Sequence, residues 1–311
     1  MDAVGTTQNR GGIMSFTMDV KSELCNEFPT SRCCVRSHLA GIAGFCGAYI
    51  IENKKEILRM RTESEAIANR IVELCAELFD IEPEIVKTGK IYSVDITENL
   101  PRVMQELGFM QDGRVKFLVD PFVVHDECCK ASFVSGAFLG GGYVKTPKNG
   151  YHFEIKTHYR DLNRDLSEIM TDIGFEPKIV TRKSEYVCYI KQSDVICDIL
   201  GLFGATDSMF ELCNVKIFND MKNKVTRRAN CDIANINKSV AAAAEQLAAI
   251  NKIKSKKGLG ALPPVLEEMA LLRLENPDAN LKELGEMTNP PISKSGVNHR
   301  LKKIIQFSEE L

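Results

Sequence analysis

No apolar run in this 311-residue chain approaches the length needed to span a bilayer, and Met1 to Gly12 lacks the apolar core of a secretory signal. The expectation is a cytoplasmic protein with no membrane partner. Histidine is scarce, at 5 residues, and no two cysteines stand in a C-x-x-C arrangement, so the usual spacing of a zinc module is missing. The 11 cysteines are an odd number in an otherwise average composition, which suits free thiols in a reducing compartment better than a disulfide framework. Two adjacent pairs, Cys33-Cys34 and Cys128-Cys129, are read as small buried hydrophobes, with no metal site and no cofactor expected.

A strong overall charge is missing too. The 40 basic and 42 acidic residues leave a net charge of -2, which says nothing of nucleic acid by itself. Their distribution says more. Residues 216–311 carry 16 Lys and Arg against 11 Asp and Glu, a charge of +5, while residues 1–215 carry 24 against 31, a charge of -7. A basic tail on an acidic body is the asymmetry expected where a small module meets phosphate and the rest does not. The length and the 44% hydrophobic content allow two or three domains, each with its own core.

What is present is a tandem repeat. "CCVRSHLAGIAGFCGAYI" (Cys33 to Ile50) aligns with "CCKASFVSGAFLGGGYV" (Cys128 to Val144), with the Cys pair at the same offset before Gly41 and Gly136. Each segment leads into a β-like stretch, "EILRMR" or "YHFEIKTHY", then a helical one, then "EPEIV" or "EPKIV", then a closing strand and helix through "IYSVDI" or "YVCYIK". A period of about 95 residues, from Gly41 to Gly136, is too long for a solenoid unit and suits two subdomains related by a pseudo-twofold axis. Gly41 and Gly44, and likewise Gly136 and Gly140, fall three or four residues apart and line one helical face. They remove the side chains that would hold two helix backbones apart.

Paired αββαββα subdomains joined through two glycine-rich helices resemble the LAGLIDADG homing endonuclease fold. That resemblance implies one metal-binding carboxylate at the end of each helix. The nine-letter motif aligns Leu39 to Gly47 with Val134 to Gly142, which puts Cys46 and Gly141 where the two catalytic acids belong. Phosphodiester hydrolysis in that fold needs Mg²⁺ held by hard oxygen ligands. A thiol is a poor Mg²⁺ ligand, and glycine has no side chain to offer. Asp126 and Glu127 are no substitutes: they precede the second helix, some twenty Å from the motif's last residue at about 1.5 Å per residue, and suit the positive end of the helix dipole. No catalytic residue and no nuclease activity are therefore expected.

The tail reads as helices. Asn230 to Lys257 is an Ala-rich helix former that runs into "KIKSKKGLGALPP", taken as a basic linker. Pro263 and Pro264 suit the first turn of a helix that carries Leu266, Met269, Ala270 and Arg273 and stops at Asn276-Pro277. A second helix starts at Asn280 as N-cap, with Glu283 three residues on, and buries Leu281, Leu284 and Met287. "TNPPI" (Thr288 to Ile292) makes a turn longer than usual, and a third helix begins at Ser293 as N-cap and buries Val297, Leu301, Ile304 and Ile305. Three helices ending in a basic one read as a helix-turn-helix. On its last helix Lys294, Ser295, Asn298 and His299 are candidates for base edges, with Arg300, Lys302 and Lys303 nearer phosphate and Ser293, at the helix start, counted with the DNA-binding residues.

"SFTMDVKSEL" (Ser15 to Leu24), both CC-led helices, "RRANCDIANINKSVAAA" (Arg227 to Ala243) and "LKELGEM…PPISKSGVNHRLKKI" (Leu281 to Ile304) together span nearly the whole chain. In these segments the chain resembles the WhiA family. The resemblance implies an α+β body, a pseudo-twofold tandem of αββαββα LAGLIDADG-like subdomains, followed by an all-α helix-turn-helix domain. The expected divisions are a disordered extension at 1–14, with Met14 as an alternative start, subdomains at 15–110 and 111–215, a helical basic linker region at 216–260 and the helix-turn-helix at 261–311. The family resemblance further implies a nucleoid-associated, double-stranded-DNA-binding protein of cell division and chromosome segregation that regulates transcription, in some lineages during sporulation. RNA polymerase or a partner regulator would be its protein contact. A scaffold for division proteins that binds DNA without sequence preference is the alternative.

Overall fold

The computed structural model describes residues 15–311; the expected extension at 1–14 lies outside the described residues. The chain forms two compact units, Met1–Asn219 and Asp220–Leu311. In the first, α1 (Phe16–Leu24) precedes α2 (Arg32–Cys46), β1 (Gly47–Glu52), β2 (Lys55–Thr62), α3 (Glu65–Phe79), β3 (Ile85–Thr88), β4 (Ile91–Ile96) and α4 (Leu100–Glu106). A short hairpin, β5 (Met110–Gln111) and β6 (Arg114–Val115), leads to the second copy. That copy comprises α5 (Glu127–Gly141), β7 (Gly142–Val144), β8 (Phe153–Thr157), α6 (Arg160–Asp172), β9 (Lys178–Arg182), β10 (Glu185–Ile190) and α7 (Ser193–Phe203). Each copy is αββαββα. The sheets are antiparallel with matching strand orders, β1-β2-β4-β3 and β7-β8-β10-β9.

The two copies share one apolar core, and its axis is the contact of α2 with α5. Both helices are dominated by small and apolar residues, and eleven consecutive or near-consecutive residues of α2, from Cys34 to Phe45, are buried. A Cβ added at Gly41 would stand 2.3 Å from the carbonyl oxygen of Phe133, and one at Gly136 would stand 2.1 Å from that of His38. Backbone therefore lies directly on backbone, and only glycine fits at either position. Gly140 joins the same seam, where a Cβ would meet the Ile42 carbonyl at 2.9 Å. Gly44 departs from the sequence expectation: its open side receives Leu162 of α6 and the ring of Phe109 instead of the partner helix. The bundle of small residues is closed at its end by Phe45 against Phe133, edge to face at 6.3 Å.

The leading helix α1 is tied to both copies: Arg70 of α3 donates to the Cys25 carbonyl at its end, and Thr17 joins it to the second copy. The Thr17 hydroxyl donates to the Val144 carbonyl at 2.7 Å and accepts from the Val144 N–H at 3.0 Å, completing the backbone pairing of the short strand β7. The Cys pairs also differ from expectation. Cys34 and Cys129 are buried, but Cys33 is half-buried and Cys128 exposed, so the pairs are not simply core hydrophobes.

A histidine lies buried in the seam. His38 is 4% exposed, with Nδ1 3.2 Å from the Ser132 carbonyl and Nε2 without a hydrogen-bond partner. Nδ1 therefore donates, and the ring stays neutral. Burial first, and the Arg70 guanidinium second, push its pKa down from 6.5 to about 4. The folded form thus binds fewer protons than the unfolded chain between those values, so the stability is complete above pH 6.5 and is lost as the pH falls towards 4. Wild type should lose about 3 kcal/mol more than His38→Gln on acidification across this window, read from urea unfolding followed by circular dichroism. At neutral pH, Gly136→Ala should lower the stability of the body by about 3 kcal/mol or more in the same measurement.

Candidate nucleic-acid interface

The second unit is built on the last turns of α8 (Thr206–Lys256), followed by α9 (Pro264–Glu275), α10 (Leu281–Glu286) and α11 (Lys294–Glu309). Its core joins Ile250 and Ile253 of α8 to Leu262, Leu266, Met269, Ala270, Leu284, Val297, Leu301 and Ile304. This corrects the reading of 252–264 as a linker. Ile253 of the "KIK" run is buried, as is Ile250 just before it, while Lys252 and Lys256 donate to the Ser308 and Leu311 carbonyls at 2.7 and 2.6 Å, so the lysines clamp the far end of α11. Simple charge density concealed an apolar stripe within a basic run.

The start of α10 is fixed as its sequence dictates. The Asn280 side chain accepts from the N–H groups of Lys282 and Glu283, and Glu283 accepts from the Asn280 N–H at 2.8 Å, a complete capping box. The turn to α11 folds back on α10. Thr288 donates to the Gly285 carbonyl at 2.9 Å and the Ile292 N–H to the same carbonyl at 2.9 Å, and a Cβ at Gly285 would come within 2.3 Å of the Ile292 oxygen. Three core expectations change here: Met287 is 47% exposed, and Leu281 and Ile305 are only half-buried. Arg273 is 2% exposed and directs its guanidinium to the Pro277 and Ala279 carbonyls at 3.2 and 2.7 Å, tying off the loop between α9 and α10. Burial without a carboxylate lowers its pKa.

The face of α11 opposite Val297 is polar throughout. Lys294, Ser295, Asn298, His299, Lys302, Lys303 and Gln306 are exposed, while Ser293 caps the helix by accepting from the Gly296 N–H at 3.3 Å. Arg300 stands apart from this group. It is half-buried and its guanidinium lies 3.4 Å from the Glu268 carboxylate, so it faces α9 instead of the open side. Beside the start of α11 lies a cleft of ≈ 680 Å³ lined by Lys238, Arg273, Lys282, Lys294 and Asn298. Lys238 and Lys282 were not among the residues singled out from the sequence, since they come from other helices and only folding brings them to α11.

The helix ends of the first unit, where a homing endonuclease would hold its metal, are emptied of acids. Cys46 is the last residue of α2 and Gly141 the last of α5. Burial pushes the Cys46 thiol up to about 12, so it stays protonated and offers no anion. A Cβ at Gly141 would strike the Lys156 carbonyl at 2.3 Å, so no carboxylate fits there on this backbone. Lys21 of α1 reaches the vacated end and donates to the Leu139 carbonyl at 3.0 Å, an ammonium on the negative end of a helix dipole; burial lowers its pKa to about 8. The cleft of ≈ 790 Å³ at this end carries Lys21, Arg61 and Lys156 against the single carboxylate of Glu63. A cationic lining repels a divalent ion.

A duplicated LAGLIDADG-like body without its acids, followed by a helix-turn-helix with an open cationic face, defines a class of DNA-binding protein. Residues 32–110 match the WhiA N-terminal LAGLIDADG-like domain, residues 130–222 the WhiA LAGLIDADG-like domain and residues 225–308 the WhiA C-terminal HTH domain. The chain belongs to the WhiA family. It is 39% identical to a "Probable cell division protein WhiA" of Clostridium acetobutylicum, across 96% of this chain and 98% of the other, and 38% identical to that of Clostridium novyi over the same shares. The crystal structure of full-length WhiA from Thermotoga maritima superposes with a TM-score of 0.58 at 26% identity, covering 96% of this chain and 99% of that one. Among the described residues, no helix is long and apolar enough to cross a membrane.

Restoring the two acids should not restore an endonuclease. Cys46→Asp/Gly141→Asp is expected to leave supercoiled plasmid intact in Mg²⁺, and to melt at a lower temperature than wild type because of the 2.3 Å contact at position 141. Nicking of the plasmid by the double variant would contradict this.

Proposed function

We propose that this protein is a DNA-binding regulator of cell division and chromosome segregation that controls transcription and has no nuclease activity. The observation that carries the reading is the pairing of an open, cationic α11 face with helix ends that lack both carboxylates. In this reading Lys294, Ser295, Asn298 and His299, at the start of α11, meet base edges in the major groove of duplex DNA. Lys302 and Lys303 lie further along and neutralise phosphates, with Lys238 and Lys282 of the adjoining cleft as further backbone contacts. Ser293 acts through the helix start it caps, and Arg300 serves the α9–α11 contact through Glu268. The protein's place is on the nucleoid in the cytoplasm, and RNA polymerase or a partner regulator is the protein it would work with.

One feature favours a second reading, a scaffold for division proteins with only non-specific DNA binding. In the second unit α8 exposes Met221, Val225, Ile233, Ile236 and Val240, apolar side chains suited to a protein partner.

Chromatin mapping of bound sites separates the two. Under the regulator reading, the full-length protein gives sharp peaks at promoters, and Lys302→Glu/Lys303→Glu abolishes them. In salt titrations on a mapped site, the variant should bind at least tenfold more weakly and show a shallower salt slope. Broad, sequence-independent occupancy by wild type, unchanged in the variant, would overturn the proposal and favour the scaffold.

A further inference from the structure

The two cysteine pairs hold the same place in each repeat. Cys33 and Cys34 are the second and third residues of α2 behind its N-cap Ser31, and Cys128 and Cys129 are the second and third of α5 behind Asp126. Because Gly41 and Gly136 bring the two helix backbones into contact, the two helix starts converge as well. The Sγ atoms of all four cysteines lie within 4.8 Å of one another, and all four are free thiols. We propose that Cys33, Cys34, Cys128 and Cys129 form a tetrathiolate site for one zinc ion, which bridges the two repeats at the end of the helix pair opposite the emptied acid positions.

The geometry suits a single ion. Zn–S bonds of about 2.3 Å set tetrahedron edges of about 3.8 Å, which small side-chain rotations reach from the observed spread. Clusters of several irons hold thiolates on separate metals and need a wider cage. The donor set is soft, which excludes Mg²⁺ and Ca²⁺ and favours Zn²⁺. Both helix starts help: the four sulfurs stand at the N-terminal ends of two 15-residue helices, whose dipoles favour the negative charge of a metal-thiolate centre. Ser31 lies 3.2 Å from the Cys33 sulfur and can orient it. On loading, each ligating thiol gives its proton to solvent, so up to four protons leave and a Zn(S-Cys)₄ centre of charge -2 remains. Cys34 and Cys129 are buried while Cys128 is exposed, which gives the ion an inner pair of ligands and a route of entry.

The sequence concealed the site because neither pair has zinc-finger spacing; only the pseudo-twofold axis unites residues nearly a hundred positions apart. His125 is close by, within ligand distance of Asp126 and Cys129, but its Nε2 is 3.0 Å from the Asp126 carboxylate.

The test uses the full chain purified under reductant and without chelator. Elemental analysis should find one zinc per chain, and protein loaded with Co²⁺ in its place should show the intense visible absorption of tetrahedral cobalt thiolate. Cys33→Ser/Cys128→Ser should lose both, whereas Cys231→Ser, at an exposed cysteine elsewhere, should keep both. Stripping the ion from wild type should lower the melting midpoint of the body by roughly 5 °C or more. Should the double variant fail to fold, titration of wild-type thiols with a mercurial, read by a chromogenic zinc chelator, supplies the second measurement, and one zinc released on modification of these four thiols is the expected result. Failure of wild type to take up Zn²⁺ or Co²⁺, an unchanged metal content in the folded double variant, iron with acid-labile sulfide, or a disulfide between the pairs under reductant would each overturn the proposal.

Discussion

The body of this protein depends on one contact, backbone against backbone, where α2 crosses α5. Gly41 and Gly136 make it possible, and the 2.1 and 2.3 Å that an added Cβ would leave show that nothing larger can replace either. Apolar surface from both repeats then closes into one core around the seam, and small side chains pack there at a density that tolerates no added methyl group. Because the repeats are related by a pseudo-twofold axis along this seam, whatever stands at one end of α2 meets its counterpart on α5. The thiols meet at one end for that reason, and Cys46 and Gly141 mark the other.

The C-terminal unit solves a different problem, since it is small and has a ten-residue buried cluster to hold four helices together. Side chains that would ordinarily face water are used to finish its backbone. Arg273 takes the loose carbonyls between α9 and α10, Lys252 and Lys256 take those at the end of the chain, and Thr288 secures the turn before α11. With these groups spent internally, the cations left on the outer face of α11 are few and their positions are specified. Burial in the interior sets the spacing of Val297, Leu301 and Ile304, and the same spacing aligns Ser295, His299 and Lys302 on the outside.

Much of this was legible in the residues. The doubled glycine motif, the alternating strand segments and the Asn280–Glu283 capping pair carry local physics strong enough to be read without tertiary information. What escaped was long-range. Gly44 looks like a seam residue from its spacing but faces Leu162, because three residues turn a helix by about 300° and set it to one side of Gly41. Ile250 and Ile253 hide in a basic run, and periodicity over so short a stretch does not distinguish a solvated linker from the last turns of a helix. Arg300 reads as a phosphate ligand by charge, yet Glu268 on another helix claims it. The cysteine pairs are far apart in sequence, and only the folding of the two halves face to face brings their sulfurs within 4.8 Å of one another.

Lys21 closes this end of the helix pair from within the chain. Its ammonium donates to the Leu139 carbonyl, and a Cβ at position 141 would meet the Lys156 carbonyl at 2.3 Å. Seating a pair of carboxylates at these two helix termini would require a sheet strand to retreat and an ammonium to withdraw together. Single replacements at Cys46 or Gly141 therefore collide with packing before they can meet a cation.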